Sequence, residues 1–221
     1  DGKTLVFTSE VYPECTDDAC NKKRLDAENA SKVKARIYTS LLYREWNQWY
    51  GARRKHLFSM PVSGGAAKDL TPGTRDVPPF SIGGGGDYAI SPDSTEVCFV
   101  MNPDDDLATS TNSELFVVPI AGGEARRITT NAAADNGPVY SPDGKYLAWR
   151  AQAKPGYESD RWRLIVMERA TGKLSIPTET LDRSIGAIAW TPDSTRIVFS
   201  MEDRGRSVFQ MIPATGGGAR T

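Results

Sequence analysis

A four-residue turn motif recurs along this 221-residue chain and constrains its architecture more than any other feature. Asp93, Asp143 and Asp193 lie 50 positions apart; each follows a Ser-Pro or Thr-Pro pair and precedes an apolar, strand-like run. Pro at the second position and Asp at the third favour a type I turn. The chain opens on Asp1-Gly2-Lys3, which has the form of the same turn without its Ser-Pro. Self-similarity at a fixed period predicts a repeat array.

Each repeat shows the same succession of strands around this turn. An apolar entry leads into the turn, two further strands follow, and a Gly-rich turn precedes a short polar strand. The second strands are predicted at 4–8, 96–101, 146–150 and 196–201, and the third strands at 56–62, 114–120, 163–168 and 207–212. Four short antiparallel strands in roughly 50 residues are typical of a β-propeller blade. The alternative is a β-sandwich with coincidental turns.

The repeat divides the chain into units of approximately 1–73, 87–130, 137–180 and 187–221, all within one all-β domain, 1–221. This predicts a partial propeller of three to four blades with four antiparallel strands each, at the lower end of the usual range of about 4–8 blades. Such an arc leaves strand edges unpaired, and open edges favour pairing with another copy. We expect an arc of a larger propeller that self-associates through its open blade edges.

An insertion, 10–55, separates the second and third strands of the first unit. Residues 26–35 are charged and helix-permissive, and the next stretch is rich in tryptophan, tyrosine and arginine. Aromatic residues and arginine are enriched at binding surfaces, although the same residues also suit packing against the propeller rim. The candidate substrate-contacting residues are Arg44, Glu45, Glu10, Trp46 and Trp49.

The cysteines indicate a disulfide rather than a metal site. Cys15 and Cys20 flank a four-residue polar loop, whereas Cys98 lies in a strand pattern and is expected to be a buried thiol. A zinc site needs about four ligands, and the chain has one histidine and no second cysteine pair. A local disulfide is favoured over two unpaired thiols, and it would indicate an oxidising, periplasmic or secreted location.

Charge and motifs argue against several other functions. The net charge is −1, from 27 basic and 28 acidic residues, so no basic footprint for nucleic acid or membrane is predicted. No apolar run approaches the ~18 residues that span a bilayer. Gly83–Gly86 lacks the Lys-Ser/Thr of a phosphate loop and is expected to be a flexible connector. Asp104-Asp105-Asp106 lacks the alternating spacing of a calcium loop and is expected to be a solvated hairpin tip. No metal or cofactor is predicted.

Two segments resemble a known group of proteins. The Tyr43-Arg44-Glu45-Trp46 segment with Trp49, running into His56-Leu57-Phe58, is similar to the dipeptidyl-peptidase and acylaminoacyl-peptidase branch of the prolyl oligopeptidase family. So is Arg75-Asp76-Val77-Pro78-Pro79-Phe80-Ser81 ahead of Asp87-Tyr88. The Pro-Asp repeat alone is shared with TolB-like periplasmic propellers. The resemblance implies an N-terminal propeller that limits access of short peptides to a C-terminal α/β-hydrolase domain and positions them there.

The chain itself has no serine-peptidase machinery. The nucleophile elbow of an α/β-hydrolase is Gly-x-Ser-x-Gly, and no such pentapeptide occurs in these 221 residues. The only histidine, His56, begins a predicted strand and is expected to be structural or solvent-facing. No catalytic residue is therefore assigned, and the peptidase chemistry is expected on the parent protein. The alternative function is a stand-alone, TolB-like protein-binding scaffold.

Overall fold

The computed structural model describes residues 2–39, 41–79 and 87–215, and of Glu45 the backbone alone. The predictions for Asp1, for the Phe80-Ser81 motif, for the Gly83–Gly86 connector and for the last unit beyond residue 215 lie outside this part. The described residues form four antiparallel sheets of three or four strands, together with one helix and one small hairpin. The prediction of an all-β, partial propeller is confirmed.

The strands follow one another in an order that repeats from blade to blade. Blade 1 contains β1 (Thr4–Val11), β4 (Arg54–Pro61) and β5 (Lys68–Asp69). Blade 2 contains β6 (Tyr88–Ile90), β7 (Glu96–Met101), β8 (Glu114–Pro119) and β9 (Arg126–Arg127). Blade 3 contains β10 (Asp135–Tyr140), β11 (Tyr146–Ala151), β12 (Arg163–Glu168) and β13 (Leu174–Ser175). Blade 4 contains β14 (Ile185–Trp190), β15 (Arg196–Asp203) and β16 (Arg206–Pro213).

The middle strands are buried on both faces because blades pack face to face. On β7, Val97 packs into a cluster with Leu57 of blade 1, whereas the next residue, Cys98, packs into a cluster with Trp149 of blade 3. A third cluster, which includes Phe199, joins blades 3 and 4. This double burial explains why consecutive residues of one strand are apolar. Burial also raises the pKa of the Cys98 thiol, as expected for a structural cysteine.

The Pro-Asp turns share one hydrogen-bond pattern. In the first, the Ser94 N–H donates to Ser91 O (2.8 Å), and the Ser91 hydroxyl donates to Asp93 Oδ1 (2.6 Å). Equivalent bonds occur at Asp143 (2.8 and 2.7 Å) and at Asp193 (2.9 and 2.6 Å). The hydroxyl bond from the first turn residue lowers the pKa of Asp93 and of Asp193 to about 2. Each turn is therefore held by an ionised aspartate.

A threonine closes three of the blades at the outer strand. In each case the threonine hydroxyl accepts a hydrogen bond from the N–H of a leucine in the third strand of the blade, 14 positions earlier. The pairs are Leu57 and Thr71 (2.9 Å), Leu115 and Thr129 (2.9 Å), and Leu164 and Thr178 (2.8 Å). The residue before each leucine makes a charge pair with the same closing segment: His56 with Asp69, Glu114 with Arg127 and Arg163 with Glu179. The short closing segments thus satisfy groups that the strand ladder leaves unpaired.

Two buried carboxyl groups lie where blades 2 and 3 meet. Glu114 is fully buried and accepts hydrogen bonds from Arg127 and from the Thr129 hydroxyl. Asp135 accepts from Trp149 Nε1 through Oδ1 (2.9 Å), and its Oδ2 has no partner among the described residues. Burial raises the pKa of Asp135 to about 7, and the charge of Glu114 acts in the same direction.

The insertion contains helix α1 (Asp18–Ala30), which lies earlier than predicted. The prediction of a helix-permissive stretch at 26–35 was wrong in its bounds because the capping signal lies upstream. The Asp17 side chain accepts from Cys20 N (2.7 Å), as an N-cap residue does, and Ser31 is already extended. Cys15 and Cys20 form a disulfide across the helix start. The β1–β4 ladder reaches Val11 and Arg54, so it extends into both ends of the predicted insertion, 10–55.

Candidate functional site

The insertion is fastened to blade 1 at the start of β4. Asp76 accepts from the Tyr50 hydroxyl through Oδ2 and from Lys55 N through Oδ1 (2.7 Å). The Arg54 guanidinium lies 4.2 Å from the centroid of the Tyr50 ring and donates to Gly51 O (2.7 Å). The Val77 N–H donates to Lys55 O (2.7 Å). Residues 43–50 of the insertion, which we call the aromatic segment, are therefore held against the connection after β5 through Tyr50 and Asp76.

The aromatic segment contains a short antiparallel hairpin, formed by β2 (Arg44–Glu45) and β3 (Gln48–Trp49). Its turn contains Trp46, whose φ of 47° is in the left-handed region, uncommon for a bulky residue. The Trp49 ring stacks near Tyr38 (6.1 Å between centroids) and lies under the Arg36 guanidinium (5.9 Å). Both tryptophans are exposed, Trp46 at 68% and Trp49 at 56%, but no ring contact of Trp46 with another described residue is found. The two predicted tryptophans therefore have different roles in the hairpin.

A cleft of about 340 Å³ opens between this hairpin and the connections of blades 1 and 2. We call it the hairpin cleft; its lining residues include Arg44, Trp46, Tyr50, Asp76 and Leu107. Its volume falls within the range of roughly 300–1,000 Å³ that is usual for small-ligand sites. The hairpin cleft is one candidate functional site, because it brings Arg44 and Trp46, two of the predicted substrate-contacting residues, together.

Two of the other predicted residues line a second cleft of about 470 Å³, which also includes Tyr50 and Asp76 in its lining. Glu10 and Trp49 lie here, and Glu10 forms an ion pair with Arg53 (3.0 Å) in which both side chains are exposed. The backbone of Glu45 is in the hairpin, but its side chain is outside the described part. The structure therefore divides the predicted set between two clefts that share the Tyr50–Asp76 wall.

The aspartate run after β7 borders the hairpin cleft and is more structured than a solvated tip. Asp104 accepts from the Ser110 hydroxyl (2.6 Å) and from Asn112 Nδ2 (3.0 Å), and these bonds lower its pKa. Only Asp105 is fully exposed, and it pairs with Arg75 (2.9 Å). The prediction was wrong for Asp104 because serine and asparagine partners follow it within the same loop. Among the described residues no group of three or more side chains has the arrangement of a metal site.

His56 is held by the fold and is not placed for catalysis. It is buried; Nδ1 lies 2.7 Å from Asp69 Oδ2 and Nε2 lies 3.0 Å from Gly73 O. Both ring nitrogens are therefore occupied by oxygen acceptors. His56 is a structural residue that links β4 to the connection after β5.

In the described part of the chain, no helix is long and apolar enough to cross a bilayer.

Sequence reasoning missed Tyr50, Asp76 and Arg75 as members of the site. Asp76 and Arg75 belong to the segment that carries the family resemblance, which was a usable signal. Tyr50 and Asp76 lie 26 positions apart in the sequence, and no local pattern predicts their contact.

Comparison with known proteins places the chain among peptidase propellers. No protein-family model matches it. A dipeptidyl-peptidase 5 of Porphyromonas gingivalis is 30% identical over 207 residues, which cover 90% of this chain and 29% of that protein. The chain spans between 24% and 32% of the length of the relatives of this name.

Solved structures show the same fold at lower identity. A puromycin-hydrolysing peptidase of Mycobacterium tuberculosis matches with a TM-score of 0.53 and 18% identity, over 75% of this chain and 27% of that one. TolB of Acinetobacter baumannii matches with a TM-score of 0.54 and 16% identity, over 75% of this chain and 37% of that one. These structural matches show the β-propeller fold. The similarity to dipeptidyl-peptidase 5 over 90% of the chain shows that the chain belongs to the prolyl oligopeptidase family, as a part of its β-propeller domain.

Proposed function

We propose that this chain is the propeller part of a serine exopeptidase of the dipeptidyl-peptidase type. It limits access of peptides to an α/β-hydrolase domain elsewhere in the parent protein and positions them there. The observation that carries the proposal is the 30% identity to dipeptidyl-peptidase 5 over 90% of the chain. The names of these relatives favour dipeptidyl-peptidase over acylaminoacyl-peptidase activity for the parent.

The chemistry available in this chain supports assigning catalysis to a separate hydrolase domain. Acyl transfer by a serine peptidase needs a nucleophile and a histidine base. These 221 residues contain no Gly-x-Ser-x-Gly elbow, and their one histidine has both ring nitrogens bonded within the fold. The bond-breaking step is therefore assigned to the partner hydrolase domain, and this chain contributes steric selection and substrate contacts.

The substrate contacts are assigned to the hairpin cleft and the second cleft. Both are bounded by exposed aromatic and arginine side chains, which give large contact area and directional hydrogen bonds to a peptide. The Tyr50–Asp76 wall fixes the hairpin relative to blade 1. Short peptides and the hydrolase domain are thus the proposed partners, and self-association through open blade edges is a further proposal.

The test compares the parent protein with this chain on dipeptidyl p-nitroanilides. We expect turnover by the parent, none by this chain, and none by a parent whose elbow serine is replaced by alanine. In the parent, Trp49→Ala is expected to raise KM for the dipeptidyl substrate while hydrolysis of p-nitrophenyl acetate, a small ester, stays unchanged. Turnover by the purified chain, or an equal effect of Trp49→Ala on both substrates, would contradict the proposal.

The alternative is a TolB-like binding scaffold, favoured only by the shared fold. Reading the gene beyond Thr221 separates the two: a downstream Gly-x-Ser-x-Gly followed by Asp and His supports the peptidase, and a stop codon after the closing blade supports the scaffold. We also propose a periplasmic or secreted location. Its support is the Cys15–Cys20 disulfide, because structural disulfides persist in oxidising compartments.

A further inference from the structure

The polar groups of the hairpin cleft differ in whether their hydrogen-bonding capacity is already used. Asp76, a carboxylate in the lining, accepts from Tyr50 and from Lys55 N. Asn102 accepts from Asp104 N (2.9 Å) and donates to the Ser110 hydroxyl (3.3 Å). The carboxylate of Asp76 and the amide oxygen of Asn102 therefore already accept hydrogen bonds within the protein.

The uncommitted groups are donors. No hydrogen bond or ion pair joins the guanidinium of Arg44 to another described residue, and the same holds for the Trp46 indole N–H. Guanidinium and indole N–H groups donate and do not accept. A ligand that uses this free capacity must therefore bring acceptor oxygen atoms.

Both donors belong to the hairpin that lines the cleft. The left-handed turn residue Trp46 is 68% exposed, although a bulky side chain there carries a conformational cost. Apolar side chains, those of Leu42, Pro79 and Leu107, complete the lining. The cleft thus combines apolar lining side chains with an arginine that has no ion-pair partner among the described residues.

We propose that the hairpin cleft binds a peptide carboxylate through Arg44, with an adjacent apolar side chain against Trp46. The peptide nature of the ligand rests on the proposed function, whereas the preference for a carboxylate rests on the cleft's own residues. Guanidinium–carboxylate pairs are charge-assisted and directional. An ammonium group would have to share the Asp76 carboxylate with its two internal donors and would be repelled by Arg44. The carboxylate can be a chain terminus or an acidic side chain.

The experiment is a ¹H–¹⁵N NMR titration of this chain, followed at the Trp46 indole peak, which Trp46→Phe identifies. Four peptides are compared: N-acetyl-Ala-Leu, its C-terminal amide, N-acetyl-Glu-Leu amide and Ala-Leu amide with a free ammonium. We expect N-acetyl-Ala-Leu to shift the peak saturably and to bind about tenfold more tightly than its amide. Equal binding of N-acetyl-Glu-Leu amide assigns the site to any carboxylate, and weaker binding assigns it to a chain terminus.

Arg44→Gln is expected to remove the preference for the carboxylate. Arg126→Gln is the matched control: it is an exposed arginine in a groove between blades 2 and 3, and it is expected to leave the preference intact. Tighter or equal binding of the ammonium peptide, no saturable shift with any peptide, or an unchanged preference in Arg44→Gln would each overturn the inference. A parent that cleaves dipeptidyl substrates while this cleft ignores carboxylates would refute only this inference.

Discussion

Because of Asp135, the free energy of unfolding of the propeller is expected to fall as the pH rises. Most aspartates in folded proteins have the opposite effect. Its carboxyl group is 1% exposed, its Oδ2 has no partner among the described residues, and Glu114 of blade 2 lies near it. Trp149 donates to its Oδ1, and the charge of Arg163 only partly offsets the burial. The folded protein therefore favours the protonated carboxyl group.

The magnitude follows from the two pKa values. Burial raises the pKa of Asp135 from 3.8 to about 7. The folded state holds its proton longer than the unfolded state, so the free energy of unfolding falls as the pH rises through this window. One pKa unit corresponds to about 1.36 kcal/mol, so the contribution lost between pH 5 and pH 8 is about 3 kcal/mol.

The assay is urea unfolding of the wild type and of Asp135→Asn at pH 5 and pH 8, followed by tryptophan fluorescence. Asparagine keeps an oxygen for the Trp149 bond but cannot ionise, so the variant is expected to lose about 3 kcal/mol less than the wild type between the two pH values. Other groups that titrate in this range contribute to both proteins and cancel. Asp182→Asn, at a fully exposed aspartate, is the control and should behave as the wild type. The same pH dependence in Asp135→Asn and the wild type would refute the reasoning.

Three further changes test other parts of the structure. Thr178→Ala leaves the buried Leu164 N–H without its partner and is expected to lower the free energy of unfolding by about 1–2 kcal/mol, while Thr178→Ser retains the bond; equal losses in both would contradict this. Replacing Cys15 and Cys20 by serine is expected to destabilise the insertion by about 2 kcal/mol, seen as faster hydrogen exchange in α1 with unchanged exchange in the blades. The stabilising effect of Asp93, whose pKa is lowered to about 2 by the Ser91 hydroxyl, is present above pH 3.8 and lost as the pH falls towards 2. The thermal midpoint of Asp93→Asn should therefore lie below that of the wild type at pH 6 and approach it near pH 2.

The blades could be predicted because their signals are local. A Ser-Pro-Asp turn closes with bonds inside four or five residues, and double-sided burial appears directly as consecutive apolar residues, as at Val97 and Cys98. The predicted second and third strands accordingly match the observed ones to within three residues at each end.

The start of β10 shows where local signals fail. The third unit was expected to begin near residue 137, yet strand pairing starts at Asp135 and continues past an irregularity at Gly137, whose φ is 63°. An aspartate and a glycine resemble a loop in sequence. Trp149 donates to the Asp135 side chain, the Asp135 N–H donates to Ser113 O, and the Ser113 hydroxyl donates to Asp135 O. These bonds, which include contacts to the segment before β8 of blade 2, hold Asp135 in the strand.

The candidate site was only partly predictable for the same reason. Arg44 and Trp46 stood out by composition, but their relation to Asp76 depends on how the connection after β5 returns to β4. The family resemblance marked both segments without showing that they meet. Contacts between distant segments are set by the packing of whole blades, and no short pattern records them.

The two ends of the blades are under different constraints, and this difference supports the proposed position of the binding site. Because consecutive strands are antiparallel, the Pro-Asp turns all lie at one end, and the connections after the second and fourth strands all lie at the other. The first end repeats one hydrogen-bond pattern in successive blades. The second end carries the insertion, the Asp104 loop and the Arg75 connection, which differ in every blade yet contact each other, as Arg75 does Asp105. Variable loops on a repeated scaffold are where binding residues accumulate, so the end that departs from the repeat is where we propose that the substrate contacts lie.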